Sequence, residues 1–274
     1  MKNLVTFMVT CHNETYSLVC LLERLKSHVI GHPETNVVIL DDYSDNPKTQ
    51  FTLHSFRNVN GFTTCQHKLE KDFSDHKNVG NSHCSGQYIF AIDADEIPSD
   101  FLLENLHTIL ESNTEVELYQ IPRVNILRGL NELELKRWGW GLSKLEEFTM
   151  VDALRTDTES YKFLQKSGFI IEETPWVDTK TNMPSTEKNT VKHYLPILNW
   201  ANNGDYQSRL YKNSPEIKWT RPLHEFVVGA KVTAKLPLEP EYALIHDKTL
   251  ERQLSQNMFY NTNWNQDHNV RKTK

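Results

Sequence analysis

Three carboxylates, Asp93, Asp95 and Glu96, follow directly on the apolar run Tyr-Ile-Phe-Ala-Ile at residues 88–92. An apolar run of this kind, rich in β-branched and aromatic residues, is the pattern of a strand covered on both faces, as in a parallel α/β sheet. Ligands in such sheets bind at the carboxyl ends of the strands. Carboxylates gathered there repel one another unless a cation joins them, and a divalent metal holding phosphate oxygens is the usual remedy. The stretch also reads as a helix start, because Pro98, Ser99 and Asp100 supply capping chemistry. A second acidic group, Asp41-Asp42-Tyr43-Ser44-Asp45, closes the apolar run 37–40.

The elements that must position these groups alternate over the first hundred residues between strand-like and helix-like, as in repeated βαβ units. Residues 4–10 read as the first strand, residues 12–14 as a polar turn, and residues 16–26 as a helix with Leu18, Leu21, Leu22 and Leu25 at helical spacing. Residues 37–40 form the second strand, a helix rich in Lys, Asn and His precedes the strand 88–92, and residues 102–110 are an amphipathic helix. Right-handed crossovers would bring three polar strand ends to one sheet edge. Neither a G-x-G-x-x-G turn nor a G-x-x-x-x-G-K-[ST] loop is present, so phosphate must be held by a metal and side chains. Residues 155–193 are mostly polar and read as loops and short elements, and residues 249–259 read as a terminal helix before a basic tail.

Composition narrows the classes further. The chain has 274 residues, 38% of them hydrophobic, enough for one large α/β domain or two small ones. A formal net charge of -6 argues against a protein dominated by non-specific nucleic-acid binding. Cys11, Cys20, Cys65 and Cys84 form no C-x-x-C pair, which fits a reduced cytoplasmic protein. Met1 runs almost directly into the first strand, leaving no room for a signal peptide, and no stretch approaches the roughly 20 apolar residues of a membrane span. Most of the twelve histidines are read as surface or packing residues, and no H-x-x-x-H or Cys/His spacing is read as marking a zinc site. His224-Glu225 lacks the second His of a zinc-protease helix, and Asp93 to Pro98 lacks the glycine of a calcium loop. Segment 121–144 sets Arg123, Arg128, Lys136, Arg137 and Lys144 against Glu132 and Glu134, with Trp138 and Trp140 between them. It reads either as a solvated loop with packing tryptophans or as an acceptor surface. Trp200 and Trp219 carry the same two readings.

Taken together, four segments resemble the family 2 glycosyltransferases, inverting enzymes with the GT-A fold. They are Val9-Thr10-Cys11-His12-Asn13-Glu14; Ile39-Leu40-Asp41-Asp42-Tyr43-Ser44-Asp45; Asp72-Phe73 through Lys77-Asn78 to Asp93-Ala94-Asp95-Glu96; and residues 206–213 with Trp219, His224-Glu225 and His246-Asp247-Lys248. The likeness departs from the commoner pattern at Cys11, often Pro or flanked by Tyr in relatives, and at Tyr43, often Gly. It implies a Rossmann-like α/β fold with a mixed, mainly parallel sheet flanked by helices and a less regular acceptor-binding half. Residues 1–115 would bind the nucleotide sugar, residues 116–248 would bind acceptor and carry catalysis, and residues 249–274 would be a C-terminal helix and tail.

The resemblance also implies roles. Thr10 and Glu14 would line the base pocket, with Asp41 or Asp42 accepting from base or ribose. Lys77 and Asn78 would lie near the nucleotide or donor sugar, with Ala94 inside the D-x-D motif. Asp93 would approach the ribose or metal, Asp95 would be the main ligand of Mn²⁺ or Mg²⁺, and His246 would complete the metal set. Glu225 is the expected general base, with His224 orienting it or contacting phosphates, and Asp205 is an alternative. The expected activity is transfer from a nucleotide sugar, a UDP-sugar first, to a hydroxyl of a glycan or lipid-linked acceptor. A modified nucleic-acid base or a protein as acceptor, nucleotidyl transfer, and a binding module without catalysis are the other readings.

Overall fold

The computed structural model describes residues 3–128, 134, 138 and 205–264. Two compact units interleave along the sequence. The first comprises Met1–Pro98, Asn105–Pro122 and Tyr206–Pro237, and the second comprises Ser99–Glu104, Arg123–Asp205 and Leu238–Lys274.

The first unit is built on β1 (Val5–Cys11), β2 (Thr35–Asp41), β3 (Phe62–Gln66) and β4 (Tyr88–Asp93). Their order is β3-β2-β1-β4, all parallel. Val5, Phe7, Met8 and Val9 are fully buried, as are Val37, Ile39 and Leu40, so near-continuous apolar runs mark strands covered on both faces. Between them stand α1 (Tyr16–Gly31), α2 (Pro47–Phe56) and α3 (Phe73–Ser82). Asn46 caps α2 by accepting from the Lys48 N–H with Pro47 in its first turn, and Asp72 caps α3 through the Asp75 N–H. The expected strands and helices are present, the second strand running over Thr35–Asp41 rather than 37–40.

The register aligns Cys11 with Asp41 and Thr10 with Asp93, so three strand ends meet on one edge as expected. After β5 (Glu96–Pro98) comes α4 (Asp100–Ser112), where Ser99 Oγ accepts from the Leu102 N–H at 2.9 Å. The helix-cap reading of this segment therefore holds.

β6 (Leu118–Arg128) begins in the first unit and continues into the second. β7 (Tyr206–Lys212) pairs antiparallel with both β4 and β6, giving the mixed sheet β3-β2-β1-β4-β7-β6. A hairpin of β8 (Lys218–Thr220) and β9 (Phe226–Val228) follows, then β10 (Thr233–Lys235) alongside β6. Trp219 and Val227 of the hairpin pack with Met8, Ile89, Ala91 and Tyr211. In the second unit β11 (Leu244–Thr249) runs parallel to the end of β6, and α5 (Leu250–Trp264) closes the described chain. No helix among the described residues is long and apolar enough to cross a membrane.

Gly229, just after β9, has φ +95, and a Cβ there would lie 1.8 Å from the Glu216 carbonyl oxygen. Gly229→Ala is expected to lower stability by about 2–3 kcal/mol through strain and overlap. Urea denaturation checks this, and an unchanged midpoint would contradict it.

Candidate functional site

The loop after β1 is held to the loop after β2 by one side chain. Asn13, at φ +62, accepts from the Asp45 and Asn46 N–H groups through Oδ1, both at 2.9 Å, and donates from Nδ2 to Asp45. Its own N–H donates to Ser44 Oγ at 2.9 Å. Asn tolerates the left-handed region better than most residues, which accounts for its place in this turn. Tyr43 sits at φ +46 in the facing loop, a conformation that favours glycine.

Of the adjacent acids, Asp41 is 2% exposed and both its carboxylate oxygens are engaged, by the Ser44 N–H and the Gln66 side chain. It closes the turn. Asp42 is less buried, accepts from the Leu69 N–H at 2.8 Å and lies 3.5 Å from His12 Nδ1. Burial, then Asp41 and Glu14, push the Cys11 thiol far up, so it stays protonated. The Glu14 carboxylate accepts from the His12 N–H at 2.6 Å.

The end of β4 is a charge cluster. Thr10 Oγ1 donates to Asp93 Oδ1 at 2.8 Å. Lys77 Nζ, on α3, lies 3.1 Å from Asp93 and 2.7 Å from Glu225. Arg209 bonds Asp93 through Nη2, and the same nitrogen is 2.6 Å from Glu96, which is wholly buried. Partial burial alone would raise the Asp93 pKa, but Arg209 and then Lys77 outweigh burial and the nearby Asp95, holding it well below the usual carboxylate range. Arg209 stays protonated because Asp93 and Glu96 outweigh its own burial.

This cluster revises the electrostatic argument drawn from the sequence. Protein cations, Arg209 and Lys77, offset the repulsion among the strand-end carboxylates before any metal is considered. Among the described residues, the carboxylates of Asp93, Glu96 and Glu225 gather around these two cations, and the charge of Asp95 acts on Asp93. Oxygen donors of this kind match Mg²⁺ or Mn²⁺, which are held by one or two carboxylates together with substrate phosphates.

Other expected residues have structural work. Asn78 forms a reciprocal pair of 3.0 Å bonds with the Trp219 backbone, clipping the hairpin to α3. Ala94 is buried, and its N–H donates to the Thr10 carbonyl at 3.0 Å. Trp219 is 3% exposed, donates from Nε1 to the Tyr211 hydroxyl, and carries Lys77 Nζ 4.5 Å from its ring centroid, so it is a core residue. His224 is exposed with φ +56, while the next residue, Glu225, meets Lys77.

His246 belongs to the second unit, buried, with Nδ1 2.8 Å from Asn125 Oδ1. The Asn125 amide donates from Nδ2 to Asp205, which fixes its orientation, so His246 donates from Nδ1 to Asn125 Oδ1. Asp205 is also bound twice by Arg123, at 2.7 and 2.8 Å, so a base role would have to break this lock. Trp200, Trp140, Arg137, Lys136 and Lys144 lie outside the described residues. Arg209 is the site residue that the sequence does not single out, although it stands within the conspicuous segment 206–213.

The family model described as "Glycosyl transferase family 2" matches residues 6–170. The chain belongs to this family. Its mixed, mainly parallel sheet flanked by helices is the GT-A arrangement. Solved structures similar to this family member include S. aureus TarS 1–349, at 17% identity and a TM-score of 0.37 over 48% of this chain and 40% of that one. TarS 1–349 in complex with UDP-GlcNAc matches at 18% identity and a TM-score of 0.37, over 47% of this chain and 36% of that one. The chain thus spans less than half the length of these structures. No curated protein matches it.

Arg209→Met is expected to cost about 3–5 kcal/mol, because it strands the buried Glu96 charge. Asp93 has a folded pKa below its unfolded value of about 3.9, so its charge stabilises the fold above that pH and this contribution fades as pH falls through the folded value. Losing Arg209 raises the Asp93 pKa, so acid destabilisation of the variant should begin at higher pH than in wild type. Urea denaturation across pH measures both effects, and superimposable curves would contradict them.

Proposed function

We propose that the protein is a metal-dependent inverting glycosyltransferase that moves a sugar from a UDP donor to a hydroxyl of a glycan or lipid-linked acceptor. The observation that supports this reading is the meeting of the β1, β2 and β4 ends with the carboxylates Asp93, Glu96 and Glu225, with the Asp95 charge beside Asp93. The donor side is carried by residues 1–115, with Thr10, Glu14 and Asp42 near the base and ribose. Arg209 and Glu225 come to it from the half comprising residues 116–248. The four cysteines are free thiols, which suits a cytoplasmic location.

In this reading Asp95 holds Mn²⁺ or Mg²⁺, which when bound supplies Lewis-acid stabilisation to the departing diphosphate. Asp93 is oriented by Thr10, Lys77 and Arg209, so the carboxylate next to Asp95 keeps its charge and its place. Inversion requires a base on the face of the sugar opposite the leaving group. Glu225 fills this role by exchanging its Lys77 contact for the acceptor hydroxyl and taking the proton at its carboxylate oxygen. Lys77, sandwiched between Asp93 and Glu225 and lying over Trp219, sets the position of that carboxylate. His224, the exposed residue before it, orients that carboxylate or contacts the donor phosphates.

Assays with UDP-sugars and Mn²⁺ should release UDP rather than pyrophosphate, which separates glycosyl transfer from nucleotidyl transfer. Asp95→Asn should lower kcat/KM by about 10²-fold or more, and Glu225→Gln should lower kcat by about 10²–10⁴-fold with donor affinity retained. Full metal-dependent turnover in Asp95→Asn would overturn the metal assignment. Unchanged kcat in Glu225→Gln would overturn the base.

A further inference from the structure

A second group of ligand-type side chains lies at the opposite end of the strands from the carboxylate cluster. His28 and His32 stand four residues apart, on the last turns of α1 and at its C-cap. Glu34 immediately precedes β2, and His107 reaches them from α4. The expectation that no H-x-x-x-H spacing marks a zinc site is wrong for His28 and His32, whose spacing places two imidazoles on one face. All four residues belong to the first unit. The seven residues of β2 separate the group from Asp41 by about 20 Å.

The geometry is that of a ligand set. Glu34 Oε1 lies 2.9 Å from His107 Nδ1 and 3.5 Å from His32 Nδ1. One ligand atom from each of His32, Glu34 and His107 falls within 4.8 Å of the others. Tetrahedral zinc with bonds of about 2.0–2.1 Å places its ligand atoms about 3.3 Å apart, a value these distances bracket. The rings of His28 and His32 stack at 4.4 Å between centroids, and those of His32 and His107 lie at 4.5 Å.

A plain histidine–carboxylate hydrogen bond would explain the contact between His107 and Glu34 but not the rest. It does not account for His32 Nδ1 converging on the same carboxylate oxygen at 3.5 Å. Glu34 and His32 remain about one third exposed, at 34% and 37%, which leaves an entry path for an ion.

We propose that His32, Glu34 and His107 form a metal site for a borderline ion of the Zn²⁺ class, with His28 packed against it as an adjacent imidazole. Two nitrogens and one carboxylate oxygen favour such an ion over Mg²⁺ or Ca²⁺, which take all-oxygen sets. Its distance from the sheet edge assigned to the donor makes it a structural site that ties together the end of α1, the start of β2 and α4. It is independent of the proposed reaction.

The test is titration of the metal-stripped, tag-free full chain with Co²⁺ in the absence of nucleotide, followed by displacement with Zn²⁺. One equivalent of Co²⁺ should bind with the visible absorption of four-coordinate cobalt, and zinc should abolish it. His32→Gln, Glu34→Gln and His107→Gln should each weaken binding by about tenfold or more, with circular dichroism confirming the fold, while Asp95→Asn leaves it unchanged. No four-coordinate absorption in the wild-type chain, binding that survives both histidine substitutions, or loss in Asp95→Asn would overturn the proposal.

Discussion

The Arg209 guanidinium, buried between Asp93 and Glu96, is the contact on which the end of β4 depends. A wholly buried Glu96 without a cation would cost several kcal/mol, and one arginine nitrogen serves both carboxylates. The side chain comes from β7, one residue beyond the pair Phe90 and Leu210, so its reach depends on β7 lying antiparallel beside β4. That requirement accounts for the interleaving of the first unit. Residues 206–237 return to a sheet begun two hundred residues earlier, bringing a cation and then a carboxylate to its edge.

From this pair the arrangement spreads through shared atoms. Asp93 is also held by Thr10 and Lys77, and Lys77 in turn meets Glu225 on the hairpin loop. Asn78, the next residue on α3, holds the hairpin backbone in place. The cluster is therefore anchored by four elements, β1, α3, β4 and β7, and by a hairpin whose own core is Trp219 against Tyr211. The neighbouring turn follows the same logic on a smaller scale, with Asn13 joining the ends of β1 and β2 through four hydrogen bonds. In the proposed reaction such a cluster would meet the donor with its charges already set, which limits reorganisation.

Much of this frame is legible in the residues. The buried parallel strands announce themselves as unbroken apolar runs, and the acidic ends of β2 and β4 mark the edge where they stop. α2 is hidden because two of its four buried positions are threonines, Thr49 and Thr52, so its helical period does not register as apolar. β3 is hidden because it is an edge strand in which Phe62 alone is buried. Arg209 looks like any strand arginine, since the contacts that give it meaning lie more than a hundred residues away. The same limit applies to His107, whose partners on α1 and before β2 are set by folding rather than by spacing. Acidic Asp41 and Asp42 look equivalent in sequence, and burial tells them apart.

A crystal structure with UDP and Mn²⁺, read through the anomalous signal of the ion, tests the central claim most directly. The account predicts manganese bound by Asp95 at about 2.0–2.3 Å and the diphosphate beside it, with the Arg209 contacts to Asp93 and Glu96 intact. An ion or a nucleotide bound away from the ends of β1 and β4 would contradict it.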